Sequence, residues 1–150
     1  MEKVLVTGAT GYIALHCVQQ LLDQGYAVNG SIRSPERKNE VIEALKNSGT
    51  STENLNLFVF DLTNDEGWDD GMEGCDYLLH VASPLALENH TEDYFVKPAV
   101  AGAKRALKFA KKHGVKKVVL TSSVAAIFET GEEKVFYDES DWSDPDNPNI

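Results

Sequence analysis

Near the N-terminus, residues 3–14 have the sequence KVLVTGATGYIA, in which an apolar run leads directly into a turn with two glycines. The run Lys3–Thr7 (KVLVT), which Gly8 stops, predicts a short buried strand. After the turn, apolar residues recur at helical spacing over residues 12–24, and Gly25 stands where a helix C-terminal cap is expected. A strand, a glycine turn and a helix are therefore predicted in direct succession.

The glycine turn has the features of a phosphate-binding site. Glycine at positions 8 and 11 lets an anion approach the backbone N–H groups, and the positive end of the helix dipole adds a favourable field. Ala14 is small enough for the helix to lie close to the sheet. A tight turn without a ligand is the alternative, but its place between a strand and an amphipathic helix favours a dinucleotide site.

Strands and helices alternate along the rest of the chain up to residue 121. Further strands are predicted at residues 27–32, 55–60, 77–81 and 117–121, and helices at residues 36–46, at 65–72 and within 91–112. This alternation implies right-handed crossovers and a parallel sheet covered on both faces. We predict an α/β fold, a Rossmann-type doubly wound parallel sheet with strand order 3-2-1-4-5. Residues 1–130 are expected to form this domain, and residues 131–150 an irregular acidic C-terminal segment.

Composition narrows the function classes. The 150 residues are 42% hydrophobic and 25% charged, which is an ordinary globular balance. A net charge of -10 argues against nucleic-acid and anionic-membrane partners, which require clustered cations. Cys17 and Cys75 have no metal-type spacing, so we expect no metal site and no disulfide. No signal sequence or membrane span is predicted, and a cytoplasmic location is expected.

The end of the second predicted strand bears on the choice of cofactor. An NAD site places Asp or Glu there to bind the ribose hydroxyls, whereas an NADP site places Arg near the 2′-phosphate. Here the strand ends in Ser31-Ile32-Arg33, and Arg37 and Lys38 follow. A solvated basic helix start is the alternative interpretation. The pattern favours NADP(H).

Several segments together carry a family resemblance. They are TGATGYIA at 7–14, Arg33, HVASP at 80–84, VVLTSSVAAIF at 118–128 and YDESDWSDP at 137–145. With them the chain resembles the extended short-chain dehydrogenase/reductase superfamily of NAD-dependent epimerases and dehydratases. It is most similar to the branch of dihydroflavonol reductases, cinnamoyl-CoA reductases and yeast-type aldehyde and ketone reductases.

The resemblance implies a role for particular residues. It assigns the pyrophosphate to the turn, the 2′-phosphate to two arginines, the adenine to the end of strand three, and the nicotinamide side to the ends of strands four and five. The pyrophosphate residues are Gly8, Ala9, Thr10, Gly11, Tyr12 and Ile13, and the 2′-phosphate residues are Arg33 and Arg37. In this assignment Asp61 and Leu62 lie beside the adenine, and Val81, Ala82 and Ser83 line the cofactor at the end of strand four. Thr121 and Ser122 approach the nicotinamide ribose from strand five. Ser123 matches the family's catalytic serine, although a strand-end hydroxyl that caps the next turn is the alternative. His80 has two interpretations, approach to the cofactor at the end of strand four and packing, of which packing is favoured.

The family's catalytic Tyr and Lys are not among these 150 residues. In the family they form a YxxxK pair, and none of the five tyrosines here is followed by Lys four positions later. The chain therefore has the appearance of a protein truncated before the catalytic helix, without the later strands and the substrate region. Such a chain is expected to bind NADP(H) with little or no turnover, because a proton donor contributes roughly 10²- to 10⁴-fold to the rate.

The sequence thus predicts an NADPH-dependent oxidoreductase acting on a small-molecule carbonyl, present here as its cofactor-binding part. Two alternatives stay open: a non-catalytic NADP-binding sensor or interaction domain, and a relative of nucleotide-sugar epimerases and dehydratases. Arg33 disfavours the second, because those enzymes commonly retain NAD. Self-association through an exposed sheet edge is a further expectation.

Overall fold

Five parallel strands form one sheet in the computed structural model, which describes residues 1–83, 92–128, 134–144 and 146. The order is β3-β2-β1-β4-β5, which confirms the predicted 3-2-1-4-5 topology. In β1, Val4 aligns with Val28 on one side and with Tyr77 on the other. The strands are β1 (Lys3–Val6), β2 (Ala27–Ile32), β3 (Leu55–Val59), β4 (Tyr77–His80) and β5 (Lys117–Leu120).

Five α-helices accompany the strands within the described residues. They are α1 (Tyr12–Asp23), α2 (Lys38–Asn47), α3 (Trp68–Met72), α4 (Glu92–Lys112) and α5 (Ala125–Phe128). No helix in these parts of the chain combines the length and the apolar composition needed to cross a bilayer.

Two apolar clusters cover the two faces of the sheet, because successive residues of β1 point to opposite sides. Leu5 packs with Leu78, Trp68 of α3 and Phe109 of α4. Val4 and Val6 pack into the other cluster, with Val18 of α1 and Leu45 of α2. At the β5 edge the cover is incomplete, since Val119 and Leu120 are each 50% exposed.

The helix boundaries differ from the prediction in two places. The predicted helix 36–46 is a 3-10 turn at Pro35–Arg37 followed by α2. The predicted helix 65–72 begins only at Trp68, because Gly67 has φ +78° and a left-handed residue cannot continue a right-handed helix. The short helix α5 was missed, since four residues are too few for a periodic pattern.

The chain divides into two units, Met1–Leu120 and Thr121–Ile150. This division does not test the predicted domain boundary between residues 130 and 131, which stays a prediction. Within the second unit, the Ser143 N–H donates to the carbonyl of Ala126 (2.9 Å), and the Phe128 and Tyr137 rings are in contact. Its described residues after 133 form turns and irregular backbone. Residues 131–133, 145 and 147–150 of the predicted acidic segment lie outside the described residues.

Candidate functional site

A cleft of about 400 Å³ opens at the carboxyl ends of the strands in the first unit. Ligand sites of doubly wound sheets lie at this edge, where crossovers leave β1 in opposite directions. The lining residues are Gly8, Thr10, Gly11, Tyr12, Ile13, Ala14, Ser31, Ile32, Arg33, Arg37, Phe60, Asp61, Leu62, Val81, Ala82 and Ser83.

The turn after β1 approaches the neighbouring strand ends closely. Gly8 has φ +73°, and a Cβ there would lie 2.9 Å from the Cβ of Ala82. The Gly8 N–H donates to Ser31 Oγ (2.8 Å), and the Ala9 N–H donates to the Ser31 carbonyl (2.8 Å). Both conformation and space therefore require glycine at position 8.

The N-terminus of α1 faces this turn with its backbone donors uncapped by a side chain. The N-cap residue, Gly11, makes no side-chain capping hydrogen bond, and its own N–H donates to the Gly8 carbonyl (2.8 Å). Tyr12 and Ile13 follow on the rim, 81% and 57% exposed. Free N–H groups and the helix dipole make this end of α1 suited to an anion.

Two arginines line the same cleft, each paired with an acid. Arg33 Nε is 3.7 Å from Asp61 Oδ2, and the Arg33 side chain is 65% exposed. Arg37 donates to both carboxylate oxygens of Glu40, with an Nη2 to Oε2 distance of 2.7 Å. Both guanidinium groups are accessible, and such exposed ion pairs are weak enough for a bound phosphate to replace them.

Asp61 is held by its neighbours after β3. Its Oδ1 accepts hydrogen bonds from the N–H (2.8 Å) and the hydroxyl (2.6 Å) of Thr63, and its carbonyl accepts from Trp68 Nε1 (3.0 Å). Burial raises the pKa of the Asp61 carboxyl, but the Thr63 hydrogen bonds and the Arg33 and Arg105 charges outweigh it, so the pKa lies below its ordinary value. The carboxylate is therefore ionised at neutral pH.

The end of β4 is tied to the end of β1 by a buried hydroxyl. Thr7 Oγ1 accepts from the N–H groups of Val81 (3.0 Å) and Ala82 (3.1 Å) and lies 3.0 Å from His80 Nδ1. Thr7 and His80 are 0% and 3% exposed. Burial lowers the pKa of His80, which keeps the imidazole neutral at pH 7.

Most of the predicted cofactor residues come together in this cleft. The one exception within the first unit is Ala9, which is fully buried against Gly30, where an added Cβ would lie 3.0 Å from the Ala9 Cβ. Thr121, Ser122 and Ser123 belong to the second unit. There, Ser123 Oγ accepts a hydrogen bond from the Ala125 N–H (3.2 Å) beside α5, as the capping alternative expects.

The sequence analysis missed Ser31, Ile32 and Phe60 as lining residues. Ser31 had a usable signal, because a serine at the end of a buried parallel strand needs a hydrogen-bond partner. Ile32 and Phe60 are apolar strand-end residues that the pattern assigns to the core, and nothing in the sequence separates them from other core positions.

The cleft supplies the groups that a dinucleotide with a phosphorylated ribose requires. A Cβ at Gly8 would meet Ala82 Cβ at 2.9 Å, the first turn of α1 offers backbone donors, and Arg33 and Arg37 supply cations in the same cleft. An acid at the end of β2, which would repel a 2′-phosphate, is replaced by Arg33.

Comparisons with known proteins agree with this geometry. Residues 4–149 match the NAD dependent epimerase/dehydratase family. The chain is 37% identical over 145 residues to dihydroflavonol 4-reductase of Solanum lycopersicum, covering 95% of this chain and 38% of that protein. It is 39% identical over 147 residues to vestitone reductase of Medicago sativa, covering 96% and 45%.

Solved structures show the same similarity. Yeast methylglyoxal/isovaleraldehyde reductase complexed with NADPH has a TM-score of 0.80 and 33% identity, over 94% of this chain and 44% of that one. Vestitone reductase from alfalfa has a TM-score of 0.79 and 35% identity, over 96% and 43%. The chain thus spans about two fifths of the length of the relatives it matches. Since the match extends over residues 4–149, the chain belongs to the NAD dependent epimerase/dehydratase family.

Proposed function

We propose that this chain is the cofactor-binding part of an NADPH-dependent oxidoreductase that reduces a small-molecule aldehyde or ketone. The observation that carries the proposal is the pair of accessible arginines, Arg33 and Arg37, in the same cleft as the glycine turn. The chain's net charge is -10, so two cations lining one cleft mark a place for an anionic ligand.

In this proposal each part of the cleft binds one part of the cofactor. The N–H groups at the start of α1 bind the pyrophosphate, and Arg33 and Arg37 bind the 2′-phosphate. Asp61 and Leu62 lie beside the adenine, and residues 81–83 form the wall at the end of β4. Thr121 and Ser122 approach the nicotinamide ribose, as the family resemblance implies.

The reaction requires a hydride and a proton at the carbonyl. When bound, NADPH supplies the hydride. Ser123 donates a hydrogen bond to the carbonyl oxygen, which stabilises the negative charge that develops there. The family's Tyr and Lys, which would deliver the proton, are not among these residues, so we expect the 150-residue chain alone to bind NADPH with little turnover.

The relatives support a carbonyl substrate without identifying it. Their names describe reductases of dihydroflavonols, vestitone and methylglyoxal or isovaleraldehyde, all of which contain a ketone or aldehyde. We propose the shared chemistry, carbonyl reduction, for the protein to which this chain corresponds.

Fluorescence titration tests the binding proposal. The chain has two tryptophans, and in a Trp142→Phe variant Trp68, which donates to the Asp61 carbonyl at the cleft, is the sole emitter. Titration with NADPH should quench Trp68 in a saturable way, with energy transfer to the dihydronicotinamide. 2′-Phospho-ADP should compete, because it carries the groups that the cleft is proposed to bind. The absence of saturation with NADPH would contradict the proposal.

A further inference from the structure

The Thr7 hydroxyl has three hydrogen-bonding neighbours in the interior of the first unit. They are the backbone N–H groups of Val81 and Ala82, at 3.0 and 3.1 Å, and His80 Nδ1, at 3.0 Å. A hydroxyl has one hydrogen to donate and two lone pairs to accept. The two N–H groups can only donate, so they occupy both lone pairs and leave the single hydrogen for the imidazole.

This inventory fixes the state of His80. Nδ1 must accept, so it carries no proton and the imidazole is the neutral tautomer protonated at Nε2. A second donor at Nδ1 would compete with the two N–H groups for the same oxygen lone pairs. The direction of the hydroxyl hydrogen therefore depends on an acceptor at position 80.

The two N–H groups belong to the cleft wall, where there is little free space. Ala82 Cβ would lie 2.9 Å from a Cβ placed on Gly8, so this wall lies directly against the phosphate-binding turn. Val81, Ala82 and Ser83 line the cleft after β4 ends at His80. Beyond the last strand residue, the described residues show the Thr7 oxygen as the acceptor for both of these N–H groups.

We propose that His80 is a positioning residue for the cofactor cleft: by accepting the Thr7 hydroxyl hydrogen, it directs the Thr7 oxygen to the Val81 and Ala82 N–H groups and holds the wall beside Gly8. The inference rests on the proposed function, because the cleft must bind a dinucleotide for the wall to affect affinity. It differs from both interpretations of the sequence, packing and direct approach to the cofactor, because His80 acts here through Thr7.

Protonation of His80 should release this arrangement. Among the described residues, the neighbours of the ring are uncharged: Thr7 on β1, Trp68 on α3 at 6.4 Å between ring centroids, and Leu120, the register partner of His80 on β5. Burial alone lowers the pKa of His80. The folded-state pKa thus lies below the ordinary value of 6.5, so the ring is neutral at that pH, and the arrangement is lost as the pH falls through the lowered pKa. A protonated Nδ1 donates to Thr7, and one N–H loses its acceptor.

Two pairs of variants test the proposal by affinity for NADP⁺. His80→Leu removes the acceptor, whereas Asn in His80→Asn keeps a carbonyl oxygen able to accept and does not titrate. We expect His80→Leu to weaken binding about tenfold, as for a buried group left unpaired, and His80→Asn to retain most of the affinity. Thr7→Val, which lacks the hydroxyl, should weaken binding, and Thr7→Ser, which keeps it, should retain most of the affinity. This second pair tests the proposal if a variant at position 80 fails to fold.

The pH profile separates positioning from general packing. The 2′-phosphate itself titrates near pH 6, so the affinity of every variant for NADP⁺ is expected to depend on pH. The test is therefore the difference in this pH dependence between variants. Between pH 7 and 5 the wild type should lose affinity more steeply than His80→Asn. The matched control is His113→Asn, at a histidine that pairs with Asp69 outside the cleft, and it should follow the wild type. Equal affinities of His80→Leu and His80→Asn, or equal slopes of wild type and His80→Asn, would overturn the proposal.

Amide exchange keeps this test apart from the proposed function. In the cofactor-free chain the Val81 and Ala82 N–H groups should be protected in wild type and His80→Asn but should exchange at least tenfold faster in His80→Leu. If the wild type binds no NADP⁺ while this difference holds, the proposed function fails and the hydrogen-bond link stands. If exchange is the same in all three proteins, the link itself is wrong.

Discussion

Two parts of the cleft differ in how they are built. At the phosphate turn the polar side chains are inside the protein, with Thr7 and Ser31 at 0% and 4% exposure and each bonded to backbone N–H groups. The side chains of Arg33 and Arg37 are instead 65% and 43% exposed, and they pair with Asp61 and Glu40, which are 33% and 56% exposed. The polar side chains at the turn are part of the protein core, whereas the arginines and their acids are charges on the surface.

This contrast teaches that affinity and selectivity have separate origins. In the proposed binding mode the buried turn binds what all nicotinamide dinucleotides share, so damage there should weaken NADPH and NADH equally. The exposed arginines are proposed to bind the 2′-phosphate, so changes there should alter the preference for NADPH without altering the fold.

The largest effect should come from Gly8→Ala. The change places a Cβ 2.9 Å from Ala82 on a residue with φ +73°, so the turn must move. We expect about tenfold or greater loss of affinity for NADPH and NADH alike, measured by fluorescence titration. The matched control is Gly25→Ala, which has φ +85° with no atom within 4 Å and should reduce stability while leaving binding intact. Loss of affinity for NADPH alone would contradict the proposal that this turn binds a part common to both cofactors.

Ser31→Ala should have the next largest effect. It removes the acceptor of the partly buried Gly8 N–H, and should cost about 1 kcal/mol in unfolding free energy and weaken both cofactors. Ser48→Ala serves as control, since Ser48 Oγ donates to the Leu45 carbonyl at the end of α2 and should affect stability only. Denaturant unfolding and titration of the same samples distinguish the two outcomes.

Lowering the pH should show how much the Asp61 carboxylate contributes to the stability of the fold. Its pKa lies below the ordinary value, so its contribution to stability is present above that value and is lost as the pH falls through the folded-state pKa. Asp61→Asn should therefore be less stable than wild type at pH 6, and the gap should narrow at pH 3, as measured by urea unfolding. A gap independent of pH would show that the carboxylate charge is not responsible.

Glu40→Gln should have the smallest effect, and it tests the proposed role of the exposed Arg37. The change removes the acid that pairs with Arg37 and leaves the guanidinium free for the 2′-phosphate. We expect NADPH to bind about two- to threefold more tightly and NADH to be unchanged, with no loss of fold by circular dichroism. Weaker NADPH binding would instead mean that Glu40 holds Arg37 in its binding position.

The sequence predicted the fold well because its signals are local. The five strands, their order and the glycine turn follow from apolar runs, helical periodicity and two glycines, and the family resemblance to reductases is confirmed. The strand ends were placed one residue too far in β1, β3, β4 and β5. Apolar or β-branched residues such as Thr7 and Phe60 continue the strand pattern after the ladder has ended.

The cleft was predicted less completely, because its second layer depends on pairings between distant residues. Ser31 with Gly8, and Thr7 with His80, are separated by 23 and 73 positions in the chain. A single sequence shows each of these residues as an ordinary strand-end side chain. Their hydrogen bonds exist only because β2 and β4 both lie beside β1.

The ratio of the NADH to the NADPH dissociation constant, in wild type and Arg33→Ala, tests the central claim most directly. The wild type should prefer NADPH by about tenfold or more, since a charge-assisted phosphate contact contributes about 1.5 to 3 kcal/mol. Arg33→Ala should lower the ratio several-fold through weaker NADPH binding alone, with Arg37 retaining part of the preference, whereas Lys46→Ala, at an exposed cation in the last turn of α2, should leave it unchanged. A wild-type ratio near one, or equal weakening of both cofactors in Arg33→Ala, would contradict the account.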